Sequence, residues 1–303
     1  MSAGKKIIIL IIILAVLISL IYLAISHRGT PSQSKTTETP RGTHKGKIVI
    51  KGSDTLLPLA QRWAEEFMKR NPDVSVSVSG GGSGVGIAAL LDGTCDIADA
   101  SRNLSPSEAE RAKKLGLQIV ETKVAIDGIS VIVNPQNPIK SITLPQLKAI
   151  YTGKITSWKE LGGPDIQVTA VGRDTPSGTY ELFKEKVLGN ENYAPSVLNT
   201  PSNNQIATTV SQDKGAIGYV GVAYADEFAK AGKVKILSVA KDEKSSAFMP
   251  TPENIKTQKY PLFRYLYNYT RGEPKGLVKE YLDFVTSDEG QKLVSEVGYI
   301  PLR

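Results

Sequence analysis

From Lys47 onward, short apolar or alternating runs take turns with stretches whose apolar residues recur every three or four positions, a pattern that predicts strands alternating with amphipathic helices. Lys47–Ile50 reads as a strand, and Leu56, Leu59, Ala60, Trp63 and Phe67 follow at helical spacing as far as Asn71-Pro72. Asp73–Ser79 alternates valine and serine as a half-buried strand does, and the stretch Ser79–Leu90, SGGGSGVGIAAL, leads from it into an apolar helical run. Further strands are predicted at Cys95–Ala100, Leu117–Val124, Ile129–Asn134, Val168–Gly172, Ala216–Val220 and Val234–Val239, with Asp127-Gly128 lying between two of them. Helices are predicted from Pro106 behind a Ser105 cap, at Leu144–Tyr151, at Trp158–Leu161, along Tyr180, Phe183 and Val187, and at Lys275–Phe284 and Asp288–Val297. Tyr265, Tyr267 and Tyr269 alternate in an aromatic run, Tyr260–Tyr269, that reads as a packed strand. The order indicates an α/β architecture with mainly parallel sheets and no internal repeat.

The N-terminus breaks this pattern. After Lys5-Lys6, residues Ile7 to Ile25 are apolar apart from Ser19, and 19 residues at about 1.5 Å each approach the ~30 Å hydrocarbon core of a bilayer. A membrane span at residues 7–25 is expected, with a cleaved signal peptide as the alternative because Ala24-Ile25-Ser26 offers a small-x-small site. The two lysines would keep the N-terminus in the cytoplasm and put the rest of the chain outside. Residues 26–46, rich in Ser, Thr, Pro, Gly and Lys, read as a solvated tether.

Both histidines, His27 and His44, fall in that tether, so the folded part has none; this removes histidine-based nucleophilic triads, histidine general bases and most zinc sites. Cys95 is the only cysteine, which excludes a disulfide within the chain and any lipid anchor after the apolar run, and it reads as a small buried apolar residue. The net charge of +7 is spread out, without basic runs or basic–aromatic interleaving, which argues against a nucleic-acid partner. An enzyme would need a nucleophile with a base or a carboxylate metal cluster, whereas Asp and Glu are scattered singly; no metal or cofactor is expected.

Three strand-to-helix turns share one chemistry. Gly52-Ser53-Asp54-Thr55 follows the first strand, the glycine stretch with Ser83 follows the second, and Arg173-Asp174-Thr175-Pro176-Ser177-Gly178-Thr179 follows the strand at Val168–Gly172. Helix starts present N–H groups without internal partners, and hydroxyls and glycines there let an anion approach the backbone. The glycine stretch is no nucleotide loop: Val85-Gly86-Ile87 stands where a Walker lysine would follow Gly84, and no G-x-G-x-x-G register exists. Taken singly, Thr55, Ser83 and Ser177 could each be a simple cap; together they suggest a site beyond the carboxyl ends of the strands for a small dianion.

With these turns go ordered motifs: GSDTLLPLA at Gly52–Ala60, GGGSGVGI at Gly80–Ile87, DIADASRNL at Asp96–Leu104, AIDGISVIVNPQNP at Ala125–Pro138, LKAIYTGKITSWKELGG at Leu147–Gly163, RDTPSGT at Arg173–Thr179, AIGYVG at Ala216–Gly221 and FVTSDEGQKLVSEVGYIPL at Phe284–Leu302. In them the chain resembles, over nearly all of Lys47–Arg303, the phosphate-binding proteins of ABC phosphate importers. The resemblance implies a two-lobed periplasmic-binding-protein type II fold with a ligand cleft between lobes, lobe 1 at 47–128 and 241–303 and lobe 2 at 129–240. It implies extracytoplasmic binding of inorganic phosphate and delivery to a membrane permease, with another tetrahedral oxyanion (sulfate, molybdate or tungstate) or sensing without transport as alternatives. Position by position, Thr55 and Leu56 correspond to first-turn contacts through hydroxyl and backbone N–H, Ser83 to the second-turn contact, and Arg173, Ser177, Gly178 and Thr179 to the third. The family's aspartate acceptor for the phosphate proton is missing; Ser101 and Arg102 stand near its position. Asp127 is the expected substitute, with a surface turn residue as its alternative, and Arg102 is either a second ligand or a structural ion pair.

Overall fold

The computed structural model describes residues 45–303. The expected membrane span and all but the last two residues of the tether lie outside the described residues, among which no helix is long and apolar enough to cross a membrane. The tether's last residue already belongs to β1 (Gly46–Gly52), which is followed by α1 (Leu57–Arg70), β2 (Val74–Ser79), α2 (Ser83–Leu91), β3 (Ile97–Ala100) and α3 (Pro106–Lys114). β1 pairs in parallel with β2 and β3, with Lys51 opposite Ser79 and Gly52 opposite Asp99, so the turns after all three strands open along one edge.

The next strand, β4 (Ile119–Val133), runs 15 residues without a break. Two strands with a turn at Asp127-Gly128 were the expectation; the backbone stays extended there because Asp127 and Gly128 pair with Arg264 and Phe263 of a late antiparallel strand. From Ile129 on, β4 leaves that partner and pairs instead with residues 217–221. The chain continues through β5 (Ser141–Thr143), α4 (Leu144–Tyr151), β6 (Thr169–Arg173), α5 (Gly178–Phe183), β7 (Leu198–Thr200), α6 (Asn203–Gln212), β8 (Ala216–Gly221) and α7 (Val222–Lys230). It closes with β9 (Lys235–Ile236), β10 (Ser238–Ala240), α8 (Pro252–Lys256), β11 (Phe263–Arg271), α9 (Gly276–Thr286) and α10 (Asp288–Val297).

One strand therefore serves two sheets, β2-β1-β3-β11-β4 and β4-β8-β6-β7, each the centre of a lobe. The outer strands pair in parallel, as expected, but the pairs formed by β4 and β11 around the crossover are antiparallel. Each lobe has its own core. Ile48, Leu59, Trp63, Phe67 and Tyr281 pack in the first, and Trp158, Phe183, Tyr219 and Leu262 in the second. Both tryptophans are core residues, with Trp63 donating to the Gly290 carbonyl and Trp158 to the Gly215 carbonyl, each at 2.8 Å. Ile255, Tyr260 and Leu262 also bury their side chains in the second core, and the chain rejoins the first sheet with β11. Cys95 is buried, which pushes its thiol up to about 11, as suits a small apolar residue.

Candidate functional site

The turns after β1, β2 and β6 meet. Thr55 Oγ1 lies 3.0 Å from Thr179 Oγ1 across the lobes, and the Gly84 N–H donates to the Pro176 carbonyl at 3.0 Å. This contact is what the glycines are for. Gly82 has φ of 103°, and a Cβ on it would come within 2.6 Å of the Pro176 oxygen; a Cβ on Gly178 would come within 2.5 Å of Ser83 Oγ and 2.7 Å of Ser101 Oγ. Thr55, Ser83, Ser101, Ser177 and Thr179 are all buried.

Most of these hydroxyl oxygens already accept a bond from nitrogen. Ser83 Oγ accepts the Ser101 N–H at 3.0 Å, Thr55 Oγ1 accepts Arg264 Nη2 at 3.2 Å, and Ser177 Oγ accepts the Thr179 and Tyr180 N–H groups at 3.2 and 3.4 Å while capping α5. A hydroxyl whose oxygen is so occupied has its own proton left to donate, which favours an anion. The Leu56 N–H closes the turn onto the Ser53 carbonyl at 3.1 Å, and the Leu56 side chain enters the first core.

Arg173 is buried, with Nη2 donating to the Pro201 carbonyl at 2.7 Å and Nη1 to Asp54 Oδ2 at 3.4 Å. Asp54 is fixed in turn by the Asn203 N–H at 2.9 Å and Nδ2 at 2.7 Å. Burial lowers the Arg173 pKa and Asp54 opposes it, while Nε is left as a buried donor with no acceptor among the described residues.

The acceptor expected at Asp127 is not a surface turn residue: it is fully buried on β4. Oδ2 takes two bonds from Arg264, from Nε at 2.9 Å and Nη2 at 2.8 Å, and Oδ1 takes the Val222 N–H at the start of α7 at 3.1 Å. Burial pushes this carboxyl up, and Arg264 works against the push. Arg264 also donates from Nη1 to the Ser101 carbonyl at 3.3 Å, so one guanidinium ties together the first turn, the end of β3 and the crossover strand. Sequence reasoning missed it, although it is the one cation inside the aromatic run that was read as mere packing.

Arg102 stands in two ion pairs. Nη1 and Nη2 hold Glu108 Oε2 and Oε1 at 2.7 and 2.9 Å, and Nε is in ion-pair contact with Glu181 of α5 without a hydrogen bond of good geometry. Burial works against the Arg102 charge, but the bonds to Glu108 together with the nearby charge of Glu181 hold the pKa above its ordinary value. Each of Arg102, Arg173 and Arg264 thus faces a carboxylate, and among the described residues no group of His, Cys, Asp and Glu is placed to hold a metal.

The description "PBP superfamily domain" matches residues 35–289. The phosphate-binding protein PstS of Bacillus subtilis (strain 168) is 35% identical over 274 residues, covering 89% of this chain and 86% of that protein. The chain belongs to the PstS family of the PBP superfamily. The PstS of Pseudomonas aeruginosa strain PAO1 is 32% identical, covering 85% of this chain and 83% of that one. A Clostridium perfringens structure, described as a putative phosphate ABC transporter substrate-binding protein with bound phosphate, superposes with a TM-score of 0.76 at 33% identity, covering 85% of this chain and 100% of that chain. A high-affinity periplasmic phosphate-binding protein, PfluDING, shares the fold at a TM-score of 0.71 and 14% identity.

Two predictions follow from the buried charges. Asp127→Ala strands the Arg264 guanidinium and lowers unfolding free energy by about 3–5 kcal/mol in denaturant titrations, whereas adding Arg264→Met to it recovers part of the loss. Asp99, buried with Asn268 Nδ2 on Oδ1 at 2.6 Å, has its carboxyl pushed by burial from 3.8 to about 8. The folded state therefore holds this proton more tightly than the unfolded chain; the contribution to stability is whole below 3.8 and is lost as pH rises through about 8. Asp99→Asn removes that slope, read as denaturation midpoints that change less with pH across this window.

Proposed function

We propose that this protein binds inorganic phosphate outside the cytoplasm and hands it to the membrane permease of an ABC importer. The observation that carries the reading is the meeting of three strand-end turns from two lobes around buried hydroxyls and the buried Arg173, within a chain of the PstS family. Thr55, Ser83, Ser101, Ser177, Gly178, Thr179 and Arg173 are the residues we assign to the anion. Hydroxyl and N–H donors satisfy its oxygens while each arginine is balanced by a carboxylate, so the dianion is held by oriented dipoles more than by surplus charge. An anion touching both lobes favours the closed form, because only there does it gain all its contacts. The apolar run at residues 7–25 would anchor the protein, and the tether after it would raise its effective concentration at the permease. Binding is the whole of this chemistry, and no bond is broken.

A second reading, a receptor for sulfate or molybdate, is favoured by one observation: both oxygens of Asp127 are engaged, by Val222 and Arg264, and Oδ2 of Asp54 is engaged by Asn203 and Arg173. A carboxylate free to accept a ligand proton is what would reject a proton-free anion. Calorimetric titration with phosphate, sulfate and molybdate separates the readings. Phosphate is expected to bind one to one and more tightly than either competitor, and Arg173→Ala to weaken it by about 10- to 150-fold, the equivalent of a charged hydrogen bond worth roughly 1.5–3 kcal/mol. Tighter binding of sulfate would transfer the assignment to the second reading; absence of phosphate heat would remove the first.

A further inference from the structure

Arg102 does more than balance charge. A Cβ on Gly178 would lie 3.1 Å from Arg102 Cγ and one on Gly84 would lie 3.6 Å from Arg102 Nη2, so the side chain packs across the second and third turns together. Its outer side lines a cavity of about 550 Å³ at the mouth of the cleft, shared with Glu181, Lys184, Arg264 and Tyr265. Arg102 is thus the wall between this cavity and the hydroxyl cradle. One of its carboxylate partners, Glu108, belongs to the same lobe and is doubly used, accepting the Ser105 N–H at 2.8 Å in the capping box of α3. The other, Glu181, comes from α5 of the opposite lobe and keeps 40% of its side chain exposed, while Arg102 is only 7% exposed.

These two contacts have different consequences. The Glu108 pair lies within the first lobe and fixes where Arg102 stands. The Glu181 pair exists only when the lobes meet, and it closes directly over the turns that supply Ser83, Gly178 and Thr179. We propose that Glu181 is a positioning residue that sets the release rate of the bound anion: its ion pair with Arg102 latches the second lobe over the cradle, and the anion leaves towards the cavity at the cleft mouth when that pair opens. The inference rests on the phosphate-binding reading.

The test uses Glu181→Gln, which keeps the shape of the side chain and leaves Arg102 paired with Glu108. Glu185→Gln, on the next turn of the chain and paired with Lys186, is the control. Phosphate release is followed by stopped-flow displacement, and the distance between lobes by spin labels on Lys114→Cys and Lys154→Cys in a Cys95→Ser background. The expected result is release faster by about tenfold in Glu181→Gln, roughly 1.4 kcal/mol, with association changed little. Added salt should speed release from the native protein towards the variant's rate and leave the variant nearly unaffected, a response that a merely structural role would not give. The lobe–lobe distance distribution should widen in Glu181→Gln without ligand, and Glu185→Gln should match the native protein throughout. Release within twofold of native in Glu181→Gln, or an unchanged distance distribution, would overturn the latch. If the native protein does not bind phosphate, the functional reading falls, and the distance measurement still decides the latch.

Discussion

A buried ion pair sits at the point where one strand passes from the first lobe into the second. Asp127 and Arg264 are both sequestered there, and taking two charges out of water costs several kcal/mol per ion unless their bonds are complete. They are nearly so: Asp127 receives two bonds from Arg264 and one from the helix start at Val222, and Arg264 spends its remaining donors on Thr55 and on the Ser101 carbonyl. This satisfaction fixes three things at once. It keeps β4 extended through the crossover, docks the N-terminus of α7 from the second lobe, and orients the Thr55 hydroxyl by occupying its oxygen.

The site inherits its order from that arrangement. Parallel pairing brings the ends of β1, β2 and β3 to one edge, and β6 brings a fourth strand end opposite them. Close approach then depends on glycines at positions where any Cβ would strike the facing turn, Gly82 and Gly178 above all. Further polar contacts cross the cleft beside them: Asp54 holds Arg173 and Asn203, and the Tyr224 hydroxyl donates to the Asp54 carbonyl at 2.8 Å. Each is partly or wholly buried and electrostatic, so closure is directional.

Much of this was legible in the residues. Helices with a clean apolar stripe, such as α10 at Asp288–Val297, and strands of alternating valine, such as β2, fall where periodicity puts them. The three hydroxyl turns were also legible, since each announces itself by glycine or arginine between a strand and a helix. What escaped had weak local signals. α6, Asn203–Gln212, buries only Asn203, Ile206, Ala207 and Val210 in a polar sequence, and β7 is three residues long. Asp127-Gly128 looks like a turn, and only pairing with a strand some 140 residues later keeps it extended. For the same reason the partners of the charged residues could not be read: Arg264 with Asp127, Arg173 with Asp54 and Arg102 with Glu181 are distant in sequence. An ionisable residue inside an apolar run, as Arg264 is, was the signal that could have been followed.

The central claim is that turns from separate strands and separate lobes act as one anion site. Hydrogen exchange at Thr55, Ser83–Val85 and Gly178–Tyr180, with and without phosphate, tests it most directly. All three turns are expected to gain protection together at the same phosphate concentration. Protection confined to one turn, or to none, would contradict it.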